Sequence, residues 1–448
     1  MDKDQRIVII GAGAFGLGTA LRLKEEGYKL VTILDRSVPP VPDGSSNDIS
    51  RVIRFDYGDP IYAEIAKEAF DLWKTPDYQE AFHQTPCLWV CQDGTPEQPV
   101  QPRAQEYSRK TKRVLTEMGQ EWVPVGTTPG FDGFYNKSAG WADAGLACAL
   151  LMSRCDSAGV SFITGPNGQV EEFEKQLDGT ITSVRTKNGR VEGDQFIVAT
   201  GAWTSSLIPA WNSMLAAGQV VGYLRLTPDE VTQLRDLPIY FNFSTGFFTF
   251  PPHEPTRYLK VACHGFGYTR ADPSVTSAPP SLALASRANY IPTDGLKRLT
   301  SGLMDLFPSW HQGDLKRWES AGTTTLRPGI LSLISTRSTR TCSLLLEEAD
   351  SKWTKGSSEE IHTNILISSA FKFLPVIGKH IVGSFQRKLS RGLLDKWKFP
   401  TQFRERFQGE VFTGDGSRGG PERRELTAQE LDTFDTALKA ASSRPSKI

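Results

Sequence analysis

Two arginines stand close together in an otherwise apolar stretch. In "SRVIRFDYGD", residues 50–59, Arg51 and Arg54 flank a pair of aliphatic side chains. A guanidinium group binds carboxylate or phosphate through paired hydrogen bonds, and it also stacks on flat rings. We therefore expect these arginines to meet an anion or a ring. The alternative is that they pair with Asp56 and Asp59 at the surface.

A lysine occupies the middle of a second apolar stretch, "RYLKVACHG". Lys260 lies between Leu259 and Val261, and a lysine inside a strand points either into a polar cavity or out to water. A positive charge fixed in a cavity would stabilise an anion that forms beside it. The alternative is a solvent-facing lysine on an edge strand. His264 follows in the same stretch, and taken alone it reads as a structural histidine.

Glycines at a fixed spacing predict a nucleotide site near the start of the chain. Gly11, Gly13 and Gly16 follow the β-branched run "RIVII" and precede a helical pattern, and Asp35 ends the next strand. The first glycine allows a tight turn, the second lets backbone approach a pyrophosphate, and the third lets helix and strand pack closely. The helix N-terminus favours the phosphate charge. Asp35 would accept ribose hydroxyls and repel a 2′-phosphate, which disfavours NADP.

The elements that must position these residues follow an α/β pattern. Residues 6–35 are predicted as strand, helix and strand, and "PIYAEIAKEAFDLWK" and "AGWADAGLACALLMSRCDSAG" as helices. Residues 81–140 are predicted as short strands and turns. A strand, a hairpin and a further buried strand come after the second helix. The strand-rich stretch from about 213 to 343 predicts an antiparallel sheet.

We therefore expect an α/β fold with a Rossmann-type nucleotide-binding domain and a second, antiparallel-sheet substrate domain. The length of 448 residues favours two domains over one. The predicted division assigns 1–80, 141–212 and 344–430 to the first domain, which is discontinuous. It assigns 81–140 and 213–343 to the second domain, and 431–448 to a C-terminal helix and tail.

The composition restricts the partners. With 51 basic and 51 acidic residues the formal net charge is zero, so the chain lacks the positive field that binds nucleic acid or an anionic membrane. No segment approaches the roughly 20 apolar residues of a membrane span, and we expect an intracellular monomer that acts on a small molecule. Beside Cys87 and Cys91 no second pair completes a zinc site, so no metal is expected. The ending Ser446-Lys447-Ile448 is similar to the peroxisomal address Ser-Lys-Leu, which leaves peroxisome and cytoplasm both open.

Several stretches together resemble the sarcosine oxidase group of FAD-dependent amine oxidases. The similarity is greatest to the fungal branch, which holds fructosyl amino acid oxidases, saccharopine oxidase-like enzymes and flavoenzymes of secondary metabolism. It implies FAD between two domains and oxidation of an amine C–N bond, with O₂ as acceptor, to an imine and H₂O₂. The stretches are "IIGAGAFGLGTALRL", "SRVIRFDYGDPIYAEIAKEAF", "YLKVACHGFGY", "AFKFLPVIGK" and "FQGEVFTGDGSRGGPERREL".

The resemblance also implies a role for each candidate. It implies that Arg51 lies against the flavin ring and that Arg54 and Lys372 hold a substrate carboxylate. Lys260 matches the lysine that promotes the reaction with O₂, and His264 matches an active-site histidine. The residues that it places at the cofactor are Gly11, Ala12, Gly13, Phe15, Gly16, Asp35, Arg36, Ser50, Arg51, Gly201 and Cys342.

The family pattern is broken after Cys342. This cysteine matches the residue that carries FAD through a thioether, which predicts a covalent flavin. However, residues 343–370 depart from the pattern, and "ILISSA" replaces a glycine-rich stretch. Real divergence, a gene-model error and a weakened flavin site are three explanations. This break leaves a flavin-poor, inactive binding protein open as an alternative, and the strand–helix–strand unit leaves an NAD-dependent dehydrogenase open as another.

Overall fold

The computed structural model describes most of the chain in four sheets with helices packed around them. Two sheets are large, with six and ten strands, and two have three strands each across the described residues. The described residues are 2–42, 44–92, 102–124, 131–178, 180–207, 217–265, 267–269, 291–308, 325–329, 343–346, 361–364, 370–397, 424–433 and 436.

The six-stranded sheet is the predicted nucleotide-binding sheet. Its order is β21 (Ile361–Asn364), β20 (Ser343–Leu346), β13 (Gln195–Val198), β1 (Arg6–Ile10), β2 (Leu30–Asp35) and β9 (Ser161–Thr164). The four strands β13, β1, β2 and β9 run parallel, and β20 and β21 add an antiparallel edge. The β-branched run of β1 is buried almost throughout, as expected for a central parallel strand.

Helix α1 (Ala14–Glu25) connects β1 to β2, as predicted. It packs on α8 (Leu374–Phe385), a helix from much later in the chain. Their backbones touch at two glycines, because a Cβ on Gly378 would lie 2.1 Å from the carbonyl oxygen of Gly18. This crossing ties the late segment with Lys372 to the nucleotide-binding sheet.

The ten-stranded sheet is predominantly antiparallel, so the predicted fold class is confirmed. Its two parallel contacts join β15 to β5 and β18 to β22. Its order is β22 (Arg424–Glu425), β18 (Tyr268–Thr269), β14 (Ala217–Arg225), β17 (Tyr258–Cys263), β16 (Phe247–Thr249), β15 (Ile239–Asn242), β5 (Cys87–Gln92), β7 (Phe131–Asn136) and β6 (Trp122–Pro124), with β19 (Thr325–Gly329) also on β14.

The two small sheets complete the frame. One contains β3 (Arg51–Ile53), β8 (Gly140–Ala142) and β4 (Phe82–Gln84), and it holds the first arginine of the site. The other is the predicted hairpin with one more strand, β10 (Val170–Lys175), β11 (Ile181–Thr186) and β12 (Gly189–Glu192).

Helices α3 (Pro102–Glu117) and α4 (Ala144–Ser157) differ from the prediction, and α6 (Pro228–Leu234) and α7 (Thr293–Leu306) interrupt the stretch that was predicted as strand-rich. Helix α3 lies inside residues 81–140, where only strands and turns were predicted. Helix α4 begins at Ala144 rather than at the start of the quoted stretch, because Asp143 caps it and accepts a 2.9 Å bond from the Leu146 amide. The helices are α2 (Pro60–Trp73), α3 (Pro102–Glu117), α4 (Ala144–Ser157), α5 (Thr204–Leu207), α6 (Pro228–Leu234), α7 (Thr293–Leu306) and α9 (Arg391–Trp397), with 3₁₀ turns η1 (Gly165–Asn167), η2 (Gly201–Trp203) and η3 (Ala370–Phe373).

Membrane-spanning helices and metal-binding clusters are both absent from the described residues. No helix there combines the length and apolar content that a membrane crossing needs. In the same part of the chain, no group of three or more His, Cys, Asp or Glu side chains is placed to hold a metal ion. The five described cysteines are all buried.

Candidate active site

The turn between β1 and α1 is built against the end of β13 so closely that side chains do not fit. Gly11 has φ of +109°, and a Cβ there would lie 2.4 Å from the Ala199 carbonyl oxygen. A Cβ on Gly16 would lie 1.9 Å from the carbonyl oxygen of Gly11. Both positions therefore require glycine. Gly13 is the residue immediately before α1, and Phe15 lies in the first turn of that helix.

The carboxyl ends of three neighbouring parallel strands meet at this turn. Asp35, at the end of β2, accepts hydrogen bonds from the Ala12 amide at 2.7 Å and the Ser37 amide at 3.1 Å. The carboxylate of Asp35 therefore faces the glycine turn from the neighbouring strand. Arg36 lies over the ring of Trp203, 4.2 Å from its centroid, in the turn that begins at Gly201. The predicted nucleotide-binding residues are thus gathered at one edge.

A buried carboxylate, Asp48, joins the first arginine to the lysine of the large sheet. Its Oδ2 accepts from Arg51 Nη1 at 2.5 Å and from Lys260 Nζ at 2.7 Å. Its Oδ1 accepts from the Tyr223 hydroxyl at 2.8 Å. Its backbone carbonyl also accepts from the first two amides of α4. One fixed negative charge therefore meets two positive charges where its side chain has no solvent exposure.

Lys260 lies inside the large sheet and is almost completely buried. Its strand, β17, pairs with β14 on one side and β16 on the other, so it is not an edge strand. Its Nζ donates to the Ser50 carbonyl at 2.6 Å and lies 5.0 Å from the centroid of the Phe250 ring. Ser50 is also buried, and its Oγ has no hydrogen-bond partner within the described part of the chain.

The second arginine lies in a buried aromatic setting. Arg54 is 4% exposed, and its guanidinium carbon lies 4.5 Å from the centroid of Trp89 and 5.1 Å from that of Tyr57. Its Nη1 donates to the Asp56 backbone carbonyl, and the two side chains lie 3.8 Å apart. Trp89 Nε1 donates to Asp56 Oδ2 at 2.6 Å. Arg54 thus does meet Asp56, but in the interior rather than at the surface, whereas Asp59 caps α2.

Lys372 reaches the same cluster from the other end of the chain. It is 1% exposed, its Nζ donates to the Tyr57 hydroxyl at 2.9 Å, and its carbonyl accepts from Trp73 Nε1 at 2.7 Å. Burial lowers the pKa of Lys372 well below its ordinary value, and the charge of Arg54 acts in the same direction. The structure therefore brings Arg54 and Lys372 together around one ring.

The face of the large sheet that carries Lys260 also carries a row of aromatic rings. Successive strands place these rings opposite one another, with centroid separations of 5.9, 4.4 and 4.9 Å. His264 is half-buried, and its ring meets the last member of the row edge-on at 6.0 Å. The row consists of Phe134, Trp89, Phe241 and Phe248.

The candidate residues form two adjoining clusters. Arg51 and Lys260 belong to one, and Arg54 and Lys372 to the other; strand β3 connects them because it begins at Arg51 and ends just before Arg54. Cys342 and most of residues 343–370 lie outside the described residues.

Sequence reasoning missed the side chains that hold these cations in place. Asp48 lies in a Ser- and Asn-rich loop, and its only signal is its position one helical turn before Arg51. The local sequence gave no signal for three aromatic residues, Tyr57, Trp89 and Tyr223. Each of them contacts a residue that is distant in sequence, or itself lies in an ordinary strand.

The chain belongs to the FAD-dependent oxidoreductase (DAO) family, whose model matches residues 6–382. The predicted cofactor and enzyme class are thereby confirmed, and an NAD-dependent dehydrogenase is not supported.

Individual relatives agree with the predicted resemblance. L-saccharopine oxidase of Schizosaccharomyces pombe is 24% identical over 431 residues, which cover 88% of this chain and 92% of that protein. Monomeric sarcosine oxidase of an Arthrobacter species is 24% identical over 278 residues, 59% of this chain and 70% of that protein. The structure of fructosyl peptide oxidase from E. terrenum has the same fold, with a TM-score of 0.72 at 21% identity over 95% of this chain and 97% of that one.

The residues present fit FAD. A Cβ at Gly11 or at Gly16 would clash with neighbouring backbone, so the tight strand-to-helix turn that a pyrophosphate site uses is present here. Asp35 ends the neighbouring strand and bonds to the Ala12 amide of this turn, the place of the ribose-binding acid in such sites. The buried Ser50 hydroxyl beside Lys260 lacks a partner within the described ranges, which suits a polar ligand at that point.

Proposed function

We propose that this protein oxidises the C–N bond of a secondary amine or amino acid that carries a carboxylate, with O₂ as the electron acceptor. One observation carries the proposal: Arg54 and Lys372, from distant parts of the chain, are both buried at the ring of Tyr57. The names of the relatives, oxidases of saccharopine and sarcosine, support the same class of substrate.

The Arg54 cluster is suited to a carboxylate. A buried carboxylate needs a bidentate partner and a further positive charge to offset its lost hydration. Arg54 supplies the planar fork, Lys372 the second cation, and Tyr57 a hydroxyl between them. Asp56 and Trp89 hold the guanidinium from behind, so it is oriented before a substrate arrives.

The nucleotide end and the ring end of FAD have separate candidates. Gly11, Gly13, Gly16 and Asp35 would hold the ADP half. Ser50 and Arg51, at the start of β3, would lie beside the ring, which supplies a two-electron acceptor when bound. His264, at the end of the aromatic row, would border the substrate.

The surrounding cations also explain why no side chain is needed to take a proton from the substrate carbon. Nearby positive charges disfavour a protonated amine, and the site presents Arg54, Lys372 and Lys260 from different sides. The neutral amine can lose a hydride equivalent from its carbon without a base. The resulting imine would then be hydrolysed or cyclise.

Lys260 would serve the reaction with O₂. A buried ammonium held by Asp48 and the Ser50 carbonyl cannot turn away, so its charge is available as superoxide forms. We expect Lys260→Met to slow flavin reoxidation far more than flavin reduction in stopped-flow measurements. Equal slowing of both half-reactions would remove this role.

A peroxide-coupled panel of amines tests the overall proposal. N-methyl amino acids, fructosyl amino acids, saccharopine and pipecolate would be compared with matched amines that lack the carboxylate. We expect turnover only with the carboxylate, and a rise in KM of about 10²-fold or more in Arg54→Met and Lys372→Met, since a lost buried charge contact costs about 3 kcal/mol. Lys379→Met is the control, because Lys379 is exposed and pairs with Glu68. Turnover of amines without a carboxylate at equal efficiency would contradict the proposal.

We also propose that FAD is attached through Cys342. Acid precipitation of the purified protein would leave a yellow pellet if the flavin is covalent and a yellow supernatant if it is free. Cys342→Ser should convert the first result into the second. Cys148→Ser is the control, because Cys148 is a buried thiol whose burial raises its pKa to about 12.

A further inference from the structure

Lys372 is buried, and no carboxylate of the described residues forms a hydrogen bond with its Nζ. Its Nζ donates to a neutral hydroxyl, that of Tyr57. The buried carboxylate of the cluster, Asp56, already faces Arg54 at 3.8 Å and accepts the indole hydrogen of Trp89 at 2.6 Å. Lys372 therefore has less electrostatic support for its charge than a buried ammonium normally requires.

The charges of the cluster balance differently with and without a bound carboxylate. Arg54 is always protonated, and Asp56 compensates its charge. If Lys372 is neutral, the empty cluster carries no net charge; if Lys372 is protonated, one positive charge stays buried without compensation. When a carboxylate enters, the reverse holds, and only a protonated Lys372 leaves the site neutral.

This inference rests on the carboxylate site described under the proposed function. We propose that Lys372 is neutral while the site is empty and gains one proton when a carboxylate binds, so that the anion and the proton bind together.

The groups around Lys372 act in the required direction. Burial is the largest cause that lowers its pKa, Arg54 lowers it further, and Asp56 opposes them. Cys87, on β5, stays a neutral thiol because burial raises its pKa well above the ordinary value. Helix α2 contributes the indole of Trp73, which bonds to the lysine carbonyl and carries no charge.

The proton has two possible sources, which depend on the ligand. An acid without an amine must draw it from the buffer. An amino acid arrives as a zwitterion, so its own ammonium N–H bond can break while an N–H bond forms on Lys372. That transfer would create the neutral amine that oxidation requires and the lysine charge that its carboxylate requires.

Calorimetric titration of the FAD-loaded protein with acetate tests the inference. The titration is run in phosphate and in Tris, whose ionisation enthalpies differ, at pH values from about 6 to 10. We expect uptake of about one proton per acetate above the lowered pKa of Lys372, with affinity weakening about tenfold per pH unit there. Lys372→Met should bind acetate more weakly and without this uptake, whereas the exposed control Lys379→Met should behave like the parent.

Each outcome decides between the alternatives. Acetate binding with no proton uptake over the whole pH range would overturn the inference, as would equal uptake in Lys372→Met. If that variant binds too weakly to measure, the parent protein decides, because a pH-independent affinity contradicts coupled binding. If the parent does not bind acetate at all, the carboxylate site itself fails, and the proposed function fails with it.

Discussion

Replacing Asp48 by asparagine is the sharpest test of how the site is held together. The amide has the same shape but no charge, so it leaves Lys260 buried beside Arg51 without an anion. Removing one partner of a buried ion pair typically costs about 3–5 kcal/mol of stability. Arg51 is partly exposed and keeps its bond to the Ser45 carbonyl, so we assign most of this loss to Lys260, whose side chain is 2% exposed.

The double variant separates the ion pair from other effects of the substitution. Lys260→Met alone leaves Asp48 with Arg51 and Tyr223, and we expect it to cost about 1–3 kcal/mol. Because the two residues interact directly, the combined variant should be more stable than the sum of the single losses by about 1–3 kcal/mol. If Asp48→Asn alone fails to fold, recovery of folded protein in the combined variant shows the same coupling.

The assay is urea unfolding of the FAD-loaded protein, followed by tryptophan fluorescence, with refolding checked for each variant. Asp71→Asn is the control, since Asp71 is an exposed carboxylate that pairs with Lys67 and Lys74, and its loss should cost less than about 1 kcal/mol. A cost for Asp48→Asn within that same limit, or strictly additive single variants, would refute the interpretation.

Three further predictions follow from the structure. Burial lowers the pKa of His380 to about 4 from 6.5, so between these pH values the unfolded chain binds a proton that the folded chain does not. The free energy of unfolding should therefore fall by up to about 3 kcal/mol as the pH drops through this range. His380→Leu should make the free energy of unfolding depend less on pH there. Gly16→Ala places a methyl group against the Gly11 carbonyl, which should cost at least about 2 kcal/mol of stability and reduce the amount of bound FAD. In Gly383→Ala the nearest neighbour of the added methyl group lies at 3.5 Å, so this control should keep the stability and the FAD content of the parent. Thermal unfolding and flavin absorbance measure these two quantities. Trp89→Phe removes the 2.6 Å donor from buried Asp56 and should cost about 1–3 kcal/mol in urea; no change would contradict the assigned hydrogen bond.

The nucleotide-binding half could be predicted because its signals are local. Gly11, Gly16 and Asp35 lie within one strand–helix–strand unit, and their spacing along the chain already indicates the geometric role of each residue. Helix α3 was missed because its residues are mostly charged and polar, so its apolar positions were too few to indicate a helical period among short strands.

Within the candidate site, the sequence predicted the positively charged residues but not the groups that compensate their charge. An arginine or lysine in an apolar stretch is conspicuous, whereas the groups that compensate it are not. Asp48 lies in a polar loop where an acid is common, and its partner Lys260 is more than 200 residues away. The pairing depends on how β17 lies against this loop, which no short segment encodes.

The ion pair between Asp48 and Lys260 has a consequence for how the molecule assembles. The acid belongs to a loop beside the parallel sheet, and the lysine belongs to the large antiparallel sheet. The lysine gains this carboxylate only when the two parts dock, whereas Asp48 already has Arg51 three residues along the chain. We therefore expect docking against the Asp48 loop to stabilise the large sheet around Lys260, and a fragment of that sheet expressed alone should be more accessible to proteases than the whole protein.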